Sequence, residues 1–509
     1  MEAFQHLLFG LSVALQPSNF IYAVIGCILG TTVGVLPGIG PLATVSILLP
    51  GTFGLDATKA IILLGSVYYG AMYGGSTTSI LMRIPGEVAS IVTCLDGYAM
   101  TQKGRAGPAL VISAVGSFIA GTLSLLGIML LAPPLASFAL RFGPPEYTAL
   151  LVLGLLVLGY MSGGPMLKTL AMAALGLLLG MIGLDPITGY LRSTYGLTEL
   201  ADGIGVIPVA VGLFGVAEIL VTVAGQASPP LVVRPRLRDL PPSREEWRDS
   251  IGPIGRGTVL GFLIGVLPGP GHIISTFASY AVERRLSKHP ERFGHGAIEG
   301  VAGPESANNA AAEGSFVPML ALGIPTNATM AIMIAAMMMH GVFPGPLLLR
   351  QNPEIFWGFI ASMYVGNIVL IILNIPLVGL FVNLLRVPYR ILYPLIIAFC
   401  FLGVYAINGS VFEVWIMTIM GFVGYALRKF DFEASPIVIG LVLAPMLENA
   451  LRQSLIMSRG SYAIFFQRPI SASLLAASGV LLILALWPWI RRTVGQRGQL
   501  EPKKNETTE

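Results

Sequence analysis

Apolar windows of about 20 residues follow one another along almost the whole chain, from 20–50, 58–82 and 108–133 through to 434–450 and 469–490. A helix of that length crosses the ~30 Å hydrocarbon core of a bilayer. The polar stretches between these windows are too short to build a soluble domain. Only 11% of the 509 residues are charged, where a soluble domain carries roughly 25%. The fold class that follows is an all-α polytopic membrane protein with about 12 transmembrane helices. Cys27, Cys94 and Cys400 are far apart and lie in or beside apolar runs, which argues against a disulfide framework or a zinc site. No cofactor is expected. The small net charge of +4 comes from basic residues in loops, as positive-inside orientation requires and nucleic-acid binding does not. The opening "MEAFQHLLFG" has neither a basic n-region nor a small-residue cleavage site, so the first apolar segment is expected to act as the insertion signal.

The longest polar stretch, 226–254, carries Arg234, Arg236, Arg238, Arg244 and Arg248 and reads as a cytoplasmic linker. It divides two similar halves. "GVLPGIG" at 34–40 returns as "GVLPGPG" at 265–271, and "YGGSTTSILMRIPG" at 73–86 lines up with "EGSFVPMLALGIPT" at 313–326. Weaker pairs, 156–164 with 401–409 and 208–218 with 436–448, keep the same order. The expected organisation is a first transmembrane repeat over 1–225, the linker 226–254, a second repeat over 255–455, an extra helix over 456–490 and a cytoplasmic tail over 491–509. The segment 255–282 lies between two basic loops, 226–254 and 283–295. Its first arm, 255–267, is too short to cross, so it is expected to enter and return as a re-entrant hairpin with "PGPG" at the tip. The matching segment 20–50 lacks basic flanks and would enter from the other face. The two repeats would then be inverted.

A helix that stops at membrane depth leaves N–H or C=O groups needing partners, and such breaks are tolerated beside protein or a water-filled cavity. A helix N-terminus favours a carboxylate, and freed carbonyls suit a cation. Pro37, Gly38 and Gly40 in one half and Pro268, Gly269 and Gly271 in the other are therefore candidate ligand-facing residues. Ser76, Thr77 and Thr78, with Asn308, Asn309, Thr326 and Asn327, add hydroxyls and amides that bind carboxylates or alkali ions without burying a charge. Arg83 and Glu87 flank Pro85 and could pair with each other. Glu305 and Glu313 flank the asparagines, while Asp185, Glu218 and Glu448 lie near segment ends, where an interfacial role is the default. His272 follows "PGPG" but has Pro41 as its counterpart, which favours a local role.

"GVLPGIGP", "YYGAMYGGSTTSILMRIPGE", "GPESANNAAAEGSFVPMLALGIPTNATMAI" and "FDFEASPIVIGLVLAPMLENALRQSL" make the chain similar to the large membrane subunit, TctA, of the tripartite tricarboxylate transporters. The resemblance covers nearly the whole chain. It implies a bacterial inner-membrane importer of citrate-like carboxylates, coupled to Na⁺ or H⁺. The implied partners are a small four-helix membrane subunit (TctB-like) and a periplasmic substrate-binding protein (TctC-like). Three other classes compete. "TTVGV" at 31–35 is filter-like, but the second half has "FLIGV" there, which weighs against an ion channel. An intramembrane enzyme would need a base beside Ser76 or Ser306, and no histidine or second acid stands at a matching place; no enzymatic activity is expected. A scaffold subunit would leave the duplicated polar breaks unexplained.

Overall fold

The computed structural model describes residues 2–36, 40–161, 165–185, 187–224, 239–384 and 389–497. Pro37 and Gly38 lie outside them, as do 225–238, the end of the 156–164 stretch and the tail beyond 497. The chain opens with α1 (Glu2–Ala14), α2 (Pro17–Val35) and α3 (Pro41–Leu48), followed by α4 (Ala57–Met82), α5 (Thr93–Gln102) and α6 (Ala106–Ala139). Then come α7 (Pro144–Met161), α8 (Met166–Gly180), and α9 (Val206–Ala210) joined through a π-helical turn to α10 (Ala217–Ala224). The second half runs α11 (Arg244–Gly265), α12 (Gly271–Leu286), α13 (Glu299–Gly314), α14 (Phe316–Leu322), α15 (Ala328–Met339), α16 (Leu348–Gln351) and α17 (Pro353–Asn374). It ends with α18 (Val378–Leu384), α19 (Tyr389–Asn408), α20 (Val411–Lys429), α21 (Ser435–Met457), α22 (Ile464–Gln467) and α23 (Pro469–Arg497). A two-stranded antiparallel ribbon, Gly183–Leu184 with Leu191–Arg192, supplies the strand content among the described residues.

The distribution of polarity is that of a membrane protein. Seven described helices, α2, α6, α7, α9 through α10, α17, α20 and α21, are long and apolar enough to cross a bilayer, and shorter apolar helices accompany them. The outer face of α20 presents Trp415, Ile419 and Phe422. The interior, by contrast, holds α13, "EGVAGPESANNAAAEG", buried along its length from Gly300 to Gly314. Polar helices at the centre and apolar side chains at the rim are the reverse of what water selects, and are what hydrocarbon surroundings select.

Two helix pairs form the centre. α2 lies on α4 with Gly26, Gly30 and Gly34 facing the α4 backbone, and α11 lies on α13 with Gly257, Gly261 and Gly265 in the same role. A Cβ on Gly34 would stand 2.3 Å from the Ala71 carbonyl oxygen, and one on Gly265 would stand 2.3 Å from that of Ala311. Small residues every fourth position let backbones touch, the packing that bilayer helices favour. The two central strings of helices run in opposite directions. The loop before α4 meets the end of α15, where Thr52 Oγ1 is 3.4 Å from His340 Nε2. At the other end, Asp96 on α5 accepts the Gly296 and Ala297 N–H groups, and Lys103 Nζ donates to the His295 carbonyl at 2.6 Å.

α11 is longer than the expected 13-residue arm. It starts at Arg244 because Ser243 and Glu246 form a capping box, so the polar stretch 226–254 is helical over its last residues. α12 folds back on α11: Arg256 pairs with Glu283, and Gly271 packs on the Ile264 carbonyl. Both free ends of this pair lie on one side, since Glu246 binds Arg105 at 2.6 Å and the loop after α12 holds His295. α23 continues to Arg497, so the tail expected from 491 begins as helix.

Candidate functional site

Each central string of helices is broken once, by an almost identical turn. After α4, Arg83 takes left-handed backbone (φ 59°, ψ 22°), and Glu87 then caps the next helical turn with φ −144°, ψ 165°. After α14, Gly323 takes φ 72°, ψ 24°, and Asn327 caps α15 with φ −147°, ψ 175°. The Ile-Pro pairs, Ile84-Pro85 and Ile324-Pro325, sit between these positions. Proline removes a donor and disfavours helix in the residue before it, so the chain leaves the helix at the same step in both places.

These two breaks meet the starts of α3 and α12 at one cavity of about 510 Å³. Gly40 and Pro41 line it from the start of α3, Gly269 and Pro270 from the start of α12, Pro85 to Glu87 from the first Ile-Pro break, and Asn327 to Thr329 from the start of α15. The N-termini of α3, α12 and α15, and the four-residue 3₁₀ turn after Glu87, therefore face one space. The positive dipole ends of the three α-helices favour an anion there. Gly269 has φ +131° and donates its N–H to the Thr326 carbonyl at 2.7 Å, tying the α11–α12 turn to the second Ile-Pro break. A Cβ on Gly40 would meet nothing within 4 Å, so that position opens into the cavity.

Three carboxyls are buried here, Glu87 in the cavity wall and Glu305 and Glu313 on α13 away from the lining. Glu305 accepts from Ser76, from Thr93 and, at 3.2 Å, from Ser113. Glu87 accepts from the Asn308 amide, and Glu313 from Asn367 at 3.4 Å. Among the described residues none of the three has a salt bridge to Arg or Lys. Hydroxyls and amides, rather than cationic side chains, are the hydrogen-bond partners of these carboxyls.

The sequence candidates divide accordingly. Gly40, Gly269 and Asn327 line the cavity, and Gly271 begins the helix that points into it. Pro268 lies in the adjoining bend. Asn308 reaches the cavity wall through Glu87. Ser76 and Asn309 are turned inward, Ser76 to Glu305 and Asn309 to Ser117 at 2.7 Å. Thr78 bonds the Val35 carbonyl at 2.6 Å and ties α4 to the end of α2; Thr77 is buried on α4. Thr326 contributes its carbonyl to the Gly269 contact. Arg83 is exposed and makes no ion pair with Glu87, which turns to Asn308 instead.

Sequence reasoning missed the cavity's charged rim. Glu218 on α10 and Arg428 on α20 both line the cavity and form a salt bridge, with Glu433 beside them. The signal available was their charge at the ends of apolar segments, which reads by default as interfacial. His272 also lines the cavity.

The sequence profile of the tripartite tricarboxylate transporter TctA family matches residues 20–439, most of the chain. The chain belongs to that family. This TctA-family protein is 50% identical over 491 residues to an Agrobacterium vitis protein described as "Uncharacterized 52.8 kDa protein in TAR-I ttuC' 3'region", covering 96% of this chain and 98% of that protein. A second protein of the same organism, "Uncharacterized protein in TAR-II ttuC' 3'region", is 52% identical over 231 residues, 45% of this chain and 96% of its own length. No solved structure matches the chain. Family membership and the seven apolar helices identify a multi-pass membrane subunit of a tricarboxylate transport system.

Proposed function

We propose that this TctA-family chain is the permease subunit of a cation-coupled secondary transporter, importing citrate-like tricarboxylates or related carboxylates that a periplasmic binding protein delivers. The observation that carries this reading is the convergence of three helix N-termini, those of α3, α12 and α15, with the short turn after Glu87, on one cavity. A polycarboxylate can be held there by backbone N–H groups and dipoles, with Arg428 as the cationic side chain on the wall. The same wall also carries Glu87, Glu218 and Glu433. Like charges in a desolvated space repel by several kcal/mol at least. An anionic substrate therefore needs company: cations or protons that offset the carboxylates lower the cost of its entry, and this ties the two fluxes together.

The opposed helix strings, matching Gly-packed pairs and twin breaks support two inverted repeats, with α11–α12 and α2–α3 as hairpins entering from opposite faces. Lys103, Arg105 and Arg244 lie toward the face that follows on from the Arg-rich linker, which supports a cytoplasmic linker and C-terminus in a bacterial inner membrane. A tripartite family supports two partners, a small TctB-like membrane subunit and a TctC-like binding protein. The coupling ion is Na⁺ or H⁺, and no enzymatic step belongs to this reading.

Gly40→Trp is the direct test, since its side chain projects into open cavity without a backbone clash. Membrane insertion and yield stay normal, while uptake of labelled citrate falls at least tenfold. Uptake at the parental rate would remove the cavity from the transport path.

A further inference from the structure

α11 and α12 leave a second groove, of about 640 Å³, that shares no lining residue with the central cavity. Ile251, Val259 and Leu263 line it from α11 and are exposed. Two polar features sit among these apolar side chains. Arg256 binds Glu283 through Nε and Nη2, while Nη1 lies over Gly252 and makes no hydrogen bond to a described residue. Ser279 also lines the groove; it is 2% exposed and its Oγ has no hydrogen-bond partner. Both groups can donate, so they call for an occupant that carries acceptor oxygens.

Depth narrows the choice. α12 starts at the central cavity, and Glu283 lies about 18 Å further along it. Half of a ~30 Å hydrocarbon core is about 15 Å, so the Arg256–Glu283 pair sits at headgroup depth. From Arg256 the groove continues about 10 Å inward along α11 to Leu263. A phosphate at the pair and an acyl chain below it match that layout. A neighbouring transmembrane helix fits less well, because its backbone carbonyls are bonded internally and cannot accept from Arg256 or Ser279. Charge at the mouth selects the kind of lipid. Glu283 is already matched by Arg256, and helical spacing places the exposed Arg248 and Arg285 on the outward continuation of the two groove faces, with Asp249 the acid beside them. A basic pocket between membrane helices favours an anionic headgroup.

We propose that the α11–α12 groove binds one anionic phospholipid, with its phosphate on Arg256 Nη1 and Ser279 Oγ and an acyl chain over Val259 and Leu263. The lipid ties the hairpin to the bilayer. This site is separate from the central cavity and does not rest on the transport reading.

The test uses the purified full-length chain, stripped of lipid in detergent. Phosphatidylglycerol or phosphatidylcholine is added back, and bound lipid is counted by native mass spectrometry alongside thermal unfolding. One phosphatidylglycerol binds per chain, about tenfold more tightly than phosphatidylcholine, and raises the unfolding temperature. Gly255→Trp fills the groove, since a Cβ there meets nothing within 4 Å, and should abolish that binding while unfolding like the parent without lipid. Arg256→Gln combined with Glu283→Gln removes both charges without orphaning either, and should erase the difference between the two lipids. Equal binding of both lipids by the parent, or a phosphatidylglycerol preference kept in both variants, would overturn the site. Disulfide cross-linking of Val259→Cys between two copies of the chain in native membranes would give the groove to a protein and overturn it as well.

Discussion

Arg83 and Gly323 hold the same left-handed backbone at equivalent steps of the two breaks, but only one of them is glycine. Left-handed backbone costs a residue with a Cβ about 1–2 kcal/mol. Arg83→Gly is therefore expected to leave the unfolding temperature unchanged or slightly higher. Gly323→Val adds that strain to a Cβ 2.5 Å from the Pro344 carbonyl oxygen, and should lose about 2 kcal/mol or more. Equal behaviour of the two variants in a melting experiment would contradict the equivalence of the breaks. The Ile-Pro pairs were legible in the sequence because proline acts locally. Which partner Glu87 chooses was not: Arg83 is four residues away along the chain, while Asn308 is brought in by the fold. Glu218 was read as interfacial and Arg428 was not singled out for the same reason, since nothing near them in sequence reveals a shared cavity.

The helix pairs α2–α4 and α11–α13 depend on glycines whose replacement has nowhere to go. Gly261→Leu would put a Cβ 2.3 Å from the Ala307 carbonyl oxygen, forcing α11 away from a helix buried on all sides. Overpacking of this kind costs about 1–3 kcal/mol, readable as a lower melting temperature in detergent. Gly255→Leu, on the same helix where nothing lies within 4 Å, should be neutral. A second element is held by charge. Arg452 on α21 bonds Asp185 in the loop after α8 at 2.8 Å, and Arg192 reaches Glu448 at 2.6 Å. The Arg452 guanidinium holds the Asp185 carboxyl well below the usual carboxylate range. Because the folded value is the lower one, this contribution is fully present above the ordinary aspartate pKa of about 4 and is lost as pH falls through the folded value. Asp185→Asn should destabilise at neutral pH and flatten acid unfolding between pH ~4 and ~2. An acid limb as steep as the parent's would rule the cluster out as its source. The hairpin of α11 and α12 was legible from its basic flanks. Its true start at Arg244 was hidden because a polar amphipathic turn looks like a loop until its capping box is recognised.

At the scale of the molecule, the two central strings of helices run in opposite directions and place their breaks at one cavity. Length, hydropathy and the repeated Pro-Gly strings announced a membrane protein with breaks in it. They did not announce that the polar helix α13 would be its most buried element, because low hydropathy normally marks a surface. That burial places Glu305, Asn308 and Glu313 in the interior, with Asn308 on Glu87 at the cavity wall. The most direct measurement is uptake of labelled citrate into vesicles holding this chain, the small membrane subunit and the binding protein. Accumulation should require an inward sodium or proton gradient and disappear when that gradient is collapsed. Uptake unaffected by collapsing both gradients would contradict cation coupling.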